Sequence, residues 1–262
     1  MTDILLRKDA GGIATLTMNS PSNLNALSDA MLAALQAQFE ALATDTHTKV
    51  VILEGAGKVF CAGHDLKEMT RGRAAKDGGR AYFHDLFSRC ANVMQSITRL
   101  PQPVIAKAHG IATAAGCQLV ATCDLALAAH GTRFGVNGVN IGLFCSTPMV
   151  ALTRNVSRKL AFEMLTTGSF IDAARAAEVG LINHAVEREA LDAATTDMAQ
   201  TLASKMNGVL GIGKTAFYEQ IQMPLAQAYA HTGDVITANM MMRDTEEGIA
   251  AFLEKRAPDW QE

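Results

Sequence analysis

Short apolar runs alternate along the first half of the chain with stretches in which apolar residues recur every three or four positions. The short runs predict β-strands, and they lie at residues 4–6, 13–18, 50–53, 104–108 and 125–129. The periodic stretches predict helices at residues 29–43 and 81–97. Ser28 is suited to cap the first helix, because its hydroxyl accepts a hydrogen bond from an unpaired N–H. Strands that alternate with helices indicate the α/β fold class.

The second half of the chain, after Gly142, has a mostly helical pattern. Helices are predicted at residues 148–155, 159–166, 172–179, 189–205 and 245–255. At 262 residues the chain is long enough to bury a full core, and no linker or low-complexity stretch divides it. We therefore expect one α/β unit, with a core over residues 1–200 and a helical region over residues 201–262.

The composition argues against several classes of partner. The net charge is −3 and Lys and Arg do not form a run, which argues against nucleic acid as the main partner. The longest apolar segments are far shorter than the roughly 20 residues that cross a bilayer, so no membrane span is expected. The five cysteines include no C-x-x-C pair, and no basic segment followed by an apolar run begins the chain. These features favour a reduced protein in the cytoplasm, and no metal site is expected.

Two predicted strands are each followed by a turn rich in small residues. Residues 62–66 read Ala-Gly-His-Asp-Leu, and residues 112–116 read Ala-Thr-Ala-Ala-Gly. Small residues let the backbone turn tightly into a helix, whose first N–H groups are then unpaired and favour an anion. Two such turns are suited to direct two backbone N–H groups at one oxygen. A plain connection between strand and helix is the alternative role of either turn taken alone.

These turns, together with other short runs in the same order, resemble the enoyl-CoA hydratase/isomerase (crotonase) superfamily over nearly the whole chain. The other runs are Asn-Ala-Leu-Ser at residues 25–28, Phe-Gly at 134–135, Thr-Gly at 167–168 and Glu-Gly-Ile-Ala-Ala-Phe-Leu at 247–253. Residues 114–121 and 138–148 also resemble a narrower branch, that of enoyl-CoA hydratase domain-containing protein 3.

The resemblance implies a crotonase-like spiral of β-β-α units followed by a helical carboxy-terminal region. That region is implied to cover the coenzyme A site and to build a homotrimer or a dimer of trimers. The implied ligand is an acyl-CoA thioester, and no cofactor is implied beyond the coenzyme A of that substrate.

By the same resemblance, the backbone N–H groups of His64 and Ala115 form an oxyanion hole, which polarises the thioester carbonyl and stabilises an enolate. Leu24 departs from the basic residue that is common at its position, which puts one phosphate contact in question. The residues implied to contact coenzyme A are Asn25, Ala26, Ala62, Asp65, Leu66 and Lys255.

Two glutamates that family hydratases use to add water are replaced in this chain, where their positions hold Gln118 and Gly138. Neither residue transfers a proton near neutral pH, and each positioned acid or base contributes roughly 10²–10⁴-fold to the rate. The implied function is therefore that of a hydratase/isomerase-family lyase or isomerase with doubtful hydratase activity, or else of a non-catalytic acyl-CoA-binding or scaffolding protein. The side chains considered as replacements for the missing acid and base are His64, Asp65, Asp85, Asn140 and Cys145. Helix capping or packing is the alternative role for several of them.

Two further segments have more than one interpretation. Residues 208–215 satisfy the phosphate-loop pattern G-x-x-x-x-G-K-T. A phosphate loop follows a buried strand, whereas the residues before this segment predict a helix, so nucleotide binding is not expected. The run Met240-Met241-Met242 is suited to adaptable packing, either at a subunit contact or inside one chain.

Overall fold

The computed structural model contains two β-sheets. It describes residues 3–260, so residues 1, 2, 261 and 262, at the outer ends of the two predicted regions, lie outside the description. The five predicted strands are present, but the first ends four residues and the third two residues beyond the predicted end. Four strands of three residues were not predicted, because so short a run shows no periodicity. The strands are β1 (Leu5–Ala10), β2 (Ile13–Met18), β3 (Val50–Gly55), β4 (Val104–Ala108), β5 (Ile111–Thr113), β6 (Leu125–Ala129), β7 (Arg133–Gly135), β8 (Phe170–Asp172) and β9 (His184–Val186).

The larger sheet has the strand order β1-β2-β3-β4-β6-β9, and the smaller sheet has the order β5-β7-β8. In the larger sheet β1 is antiparallel to β2, and every other neighbouring pair is parallel. Parallel neighbours need long crossover connections, which explains why helices separate these strands in the chain. The turn at residues 62–66 lies on the crossover that follows β3, and the turn at residues 112–116 overlaps the end of β5.

The helices follow the predicted pattern through most of the chain. The first begins after Ser28, whose Oγ accepts a hydrogen bond from the Met31 N–H at 3.2 Å, so the predicted cap is confirmed. Two long helices near the carboxyl end, α9 and α10, were not predicted. The helices are α1 (Asp29–Ala43), α2 (Leu66–Arg73), α3 (Arg80–Arg99), α4 (Ala115–Thr122), α5 (Ser146–Asn155), α6 (Arg158–Thr167), α7 (Ala173–Glu178), α8 (Leu191–Ala203), α9 (Asn207–Gln220), α10 (Leu225–Met240) and α11 (Arg243–Glu254).

Both faces of the larger sheet are covered. On β3, Val51 and Leu53 join the main core with α1, α3 and α4, whereas Val50 and Ile52 join a second cluster beneath α8. Successive residues of a strand point to opposite faces, so an uninterrupted apolar run is the pattern of a strand buried on both sides. The main core reaches the start of α4, where Ala115 is buried.

A buried ion pair fastens α9 to the sheet. The Lys214 ammonium group donates to Asp124 Oδ2 at 2.6 Å and to the carbonyl oxygens of Ile97 and Gln102. Tyr218 donates to the other oxygen of the Asp124 carboxylate. Lys214 belongs to the phosphate-loop pattern at residues 208–215, but this segment is helical and the ammonium group has three acceptors within the protein. The segment is therefore part of a helix and not a loop, and the absence of nucleotide binding stays a prediction.

The last two helices present apolar side chains to solvent. Met241 and Phe252 are each 82% exposed, and Met240 is also exposed, so burial inside one chain is the wrong interpretation for this part of the methionine run. Other exposed apolar residues on α10 and α11 are Leu225, Tyr229, Ile236, Ile249 and Leu253. Across the described residues, no helix has the length and apolar character needed to span a bilayer.

Candidate functional site

The first turn of the site is held against the segment before α1. The Leu27 N–H donates to the Gly63 carbonyl at 2.7 Å, and the Ala62 N–H donates to the Leu24 carbonyl at 3.1 Å. Gly63 has a φ of 88°, which an L side chain rarely adopts. His64 forms an isolated parallel bridge with Leu27, and this pairing fixes the direction of the His64 backbone.

The second turn contains a strained alanine. Ala114 has φ 50° and ψ −119°, and it precedes the first residue of α4, Ala115. A non-glycine residue in such a sparsely populated region costs on the order of 1–3 kcal/mol and persists only where the surroundings enforce it. The Ala114 N–H donates to the Gly135 carbonyl at 2.9 Å, which anchors the turn to β7. Strain of this kind is typical of functional sites.

The two turns meet at Gly63. A Cβ atom built on Gly63 would lie 3.4 Å from the Ala115 nitrogen and 3.0 Å from the Thr113 carbonyl oxygen, so the backbones approach closely. A Cβ on Gly116 would overlap the Cys61 carbonyl oxygen. Within residues 3–260, no acceptor is hydrogen-bonded to the backbone N–H of His64 or of Ala115. The Ala115 nitrogen therefore lies close to Gly63, the residue before His64. The oxyanion hole formed by the N–H groups of His64 and Ala115 stays a prediction.

The His64 imidazole is oriented by two contacts. Its Nδ1 lies 3.3 Å from the Leu27 carbonyl oxygen, and the ring packs edge-on against Phe87 with centroids 5.5 Å apart. A carbonyl oxygen only accepts, so Nδ1 carries the proton and Nε2 has a free lone pair. Nε2 is buried and has no hydrogen-bond partner within the described chain. Burial lowers the pKa of His64, so the ring is neutral at pH 7.

Two side chains implied to contact coenzyme A are occupied within the protein. The Asp65 carboxylate caps α2 by accepting from the N–H groups of Lys67 and Glu68, and it also accepts from Asn23 at 2.8 Å. Burial would raise the pKa of Asp65, but these hydrogen bonds outweigh it, and the pKa lies below its ordinary value. The buried Asn25 amide accepts from the Ser20 N–H and donates to the carbonyl oxygens of residues 56 and 59.

The other residues implied to contact coenzyme A surround the first turn or lie on the last helix. Ala26 is buried and Ala62 half-buried, while Leu66 is 55% exposed at the start of α2. Lys255 is exposed and has a φ of 55° at the carboxyl end of α11, a helix that packs on α10.

The two positions implied to have lost glutamates differ from each other. Gln118 is 5% exposed on α4, and its Oε1 is buried without a hydrogen-bond partner within the described chain. Gly138 is buried, and a Cβ atom there would overlap the Leu143 carbonyl oxygen and lie 2.9 Å from Cys145 Sγ. Position 118 therefore keeps a polar side chain inside the protein, whereas the loop at residues 142–145 fills the space beside position 138.

Two of the side chains considered as substitutes lie in exposed positions. Asp85 is exposed and paired with Arg89 at 2.6 Å. Asn140 is also exposed, and its amide group packs against Gly168. Cys145 is buried, which raises the pKa of its thiol.

Tyr82, on α3, is a buried polar group that the sequence does not single out. Its hydroxyl has no hydrogen-bond partner within residues 3–260, and burial raises its pKa. No local pattern marks this residue, because one tyrosine on a helix is usually a core residue with a polar tip.

Comparison with known proteins places the chain in a family. A sequence profile of the enoyl-CoA hydratase/isomerase family matches residues 8–262. The chain belongs to the enoyl-CoA hydratase/isomerase family. The human enoyl-CoA hydratase domain-containing protein 3, named as mitochondrial, is 45% identical over 95% of this chain and 80% of the relative. The predicted family and its narrower branch are thus confirmed, and this family acts on acyl-CoA thioesters.

Solved structures of the enoyl-CoA hydratase/isomerase family confirm the predicted crotonase-type α/β fold. An enoyl-CoA hydratase from Mycobacterium smegmatis has a TM-score of 0.94 and 52% identity, with 98% of each chain covered. The human enoyl-CoA hydratase domain-containing protein 3 has a TM-score of 0.93 and 43% identity, with 98% of this chain and 100% of that chain covered.

The predicted cytoplasmic location is wrong by the same comparisons. Relatives from Xenopus laevis, rat, human and mouse, 42–45% identical, are all named mitochondrial. In the described residues the five cysteines are buried and form no disulfide, which fits a reducing environment. A reducing environment does not identify one compartment, and this is why the cysteine argument failed.

Proposed function

We propose that this protein binds acyl-CoA thioesters and places the carbonyl oxygen between the backbone N–H groups of His64 and Ala115. The observation that carries the proposal is the close approach of the two turns at Gly63, with both N–H groups unpaired. Donors that are fixed before charge develops on an oxygen are worth about 3–4 kcal/mol each. Such donors favour an enolate over the neutral thioester, which is the basis of isomerase and lyase chemistry.

The chemistry proposed does not include efficient hydration by two carboxylates. Gln118 has an amide where the family pattern has an acid, and Gly138 has neither a side chain nor space for one. The second candidate is a non-catalytic acyl-CoA-binding or scaffolding protein, and the missing carboxylates favour it. The strain at Ala114 supports the first candidate, because it costs stability and is otherwise unexplained.

The coenzyme A group is proposed to lie along the first turn. The side chains of Asn25 and Asp65 are engaged elsewhere, so backbone atoms near Ala26, Ala62 and Leu66 provide the contacts. Lys255 is proposed as a phosphate contact, since it is an exposed cation at the end of α11.

A homotrimer or a dimer of trimers is proposed for the assembled protein. The exposed apolar side chains of α10 and α11 support it, because contiguous apolar surface on a folded chain is typical of protein–protein contacts.

Binding of acetoacetyl-CoA tests the proposed site. Its enolate absorbs in the near ultraviolet, so the absorbance of the complex measures how far the site favours an enolate. We expect the enolate fraction to rise on binding to the unmodified protein. The Ala115→Pro variant removes one donor, and proline is tolerated at the first residue of a helix, so a folded variant should lose most of this absorbance.

The matched control is Ala173→Pro, which changes another buried alanine at the first residue of a helix, away from the site. It should leave the absorbance unchanged. Binding without any gain in enolate would favour the non-catalytic candidate, and no binding at all would reject both candidates.

Hydration of trans-2-enoyl-CoAs of increasing chain length tests the chemistry. We expect slow or no hydration by the unmodified protein. Gln118→Glu is the variant to compare, because position 118 already holds a side chain of this size, whereas Gly138→Glu would clash with Leu143. Rapid hydration by the unmodified protein would contradict the argument from the missing carboxylates.

A further inference from the structure

We propose that the His64 side chain is the base that removes a proton from the carbon beside the thioester carbonyl. This inference rests on the proposed acyl-CoA site, because the His64 backbone N–H is one of the two donors there. One residue would then hold the carbonyl oxygen through its backbone and accept the proton through Nε2.

The hydrogen bonding of the ring makes Nε2 available. Nδ1 donates to the Leu27 carbonyl, and the edge contact with Phe87 fixes the plane of the ring. Nε2 is buried without a partner within the described chain, and a buried unpaired acceptor costs about 1–3 kcal/mol. A substrate bound between the two turns would supply a partner for Nε2.

Other side chains of the site are poorer bases. The Gln118 amide does not accept a proton near neutral pH, and the Asp65 carboxylate is occupied by three hydrogen bonds. Burial raises the pKa values of Cys145 and Tyr82, so both remain protonated at pH 7. The neutral imidazole of His64 therefore has the free lone pair that the step requires.

The proposed step balances without a co-reactant. The α C–H bond breaks, its proton moves to Nε2, and its electron pair forms the double bond of the enolate. The carbonyl π electrons move to the thioester oxygen, where the N–H groups of His64 and Ala115 hold the charge. The resulting imidazolium lies beside the enolate, and return of a proton to the α carbon restores the thioester.

The charged groups nearest the ring form a pair of their own. Asp29 at the start of α1 and Arg89 on α3 are joined at 2.6 Å. Arg89 lowers the pKa of His64 and Asp29 raises it, so their effects oppose each other, and burial is the dominant cause of the lowered pKa. A ring that is mostly neutral at pH 7 follows from the direction of this shift.

Hydrogen–deuterium exchange at the α carbon of butyryl-CoA in heavy water tests the step. We expect the unmodified protein to catalyse exchange, and His64→Leu to reduce it by about 100-fold or more, the contribution of one positioned base. His64→Gln keeps a donor for the Leu27 carbonyl but is not a base, so it should lose exchange to a similar extent. Both variants should bind butyryl-CoA with little change, because the backbone N–H is kept.

His109 provides the matched control. It is buried, its Nε2 lies 2.9 Å from the Gly57 carbonyl oxygen, and its Nδ1 has no partner in the described residues. His109→Leu therefore removes an equivalent ring outside the site and should leave exchange unchanged. Exchange should change little from pH 8 to pH 7 in the unmodified protein and decline only below about pH 6.5, because the pKa of His64 lies below that ordinary value.

Two results would overturn the inference. Undiminished exchange in folded His64→Leu or His64→Gln would show that another group takes the proton. Binding of butyryl-CoA to the unmodified protein without exchange would remove the proposed step while leaving the thioester site in place. Absence of binding would instead reject the proposed function together with the step.

Discussion

Ala114 has a backbone conformation that alanine disfavours, directly before the α4 N–H that the proposed site uses. Glycine adopts positive φ without a steric cost. We expect Ala114→Gly to raise the free energy of unfolding by up to about 1 kcal/mol in urea titrations. Ala33→Gly, at an exposed position within α1, should lower it by a similar amount. Destabilisation by Ala114→Gly would show that the alanine is not strained.

The residues of the site differ in how far the sequence alone reveals them. The two turns were predicted because small residues between a strand and a helix form a local pattern. The free Nε2 of His64 depends on Leu27 and Phe87, and the crowding at Gly138 depends on the loop at residues 142–145. Such contacts join segments that are separate in the chain, and no local pattern reports them.

At the scale of elements, α9 shows how tertiary contacts outweigh local preference. The helix contains Gly208, Gly211 and Gly213, and glycine disfavours a helix by about 1 kcal/mol per residue relative to alanine, so the sequence pattern resembles a loop. A Cβ on Gly211 would lie 3.2 Å from the Pro101 side chain, and Lys214 is buried against Asp124. By contrast, β2, β4, β6 and α1 have the bounds predicted, because their apolar patterns are long and uninterrupted.

The anchor of α9 gives a prediction for this element. Lys214→Met would leave the Asp124 carboxylate without its cation in a largely buried place, so we expect a loss of about 3 kcal/mol in urea unfolding. Arg175→Met breaks the exposed pair with Glu178 on α7 and should cost less than about 1 kcal/mol. Equal losses in the two variants would contradict the anchoring role.

At the scale of the whole molecule, buried histidines make stability depend on pH. Burial lowers the pKa values of His64 and His109 in the folded chain. Near and below the ordinary histidine pKa of about 6.5, the unfolded chain therefore binds more protons than the folded chain. Their contribution is therefore present above that pH and is lost as the pH falls towards the folded values. Carboxylates with lowered pKa values, Asp45 and Asp65, add a second loss below about pH 4.

Urea unfolding between pH 8 and pH 5 measures the first of these losses. We expect the free energy of unfolding to fall with acidification, and His109→Leu to make the decline shallower. An unchanged slope in His109→Leu would show that this ring does not contribute.

The central claim is that two backbone N–H groups polarise the thioester carbonyl. The infrared carbonyl stretch of bound butyryl-CoA, labelled with ¹³C at the thioester carbon, reports this polarisation directly. We predict a shift to lower frequency in the unmodified protein and in Ala173→Pro, and a smaller shift in Ala115→Pro. A bound thioester whose carbonyl frequency equals that in water, or is insensitive to Ala115→Pro, would contradict the claim.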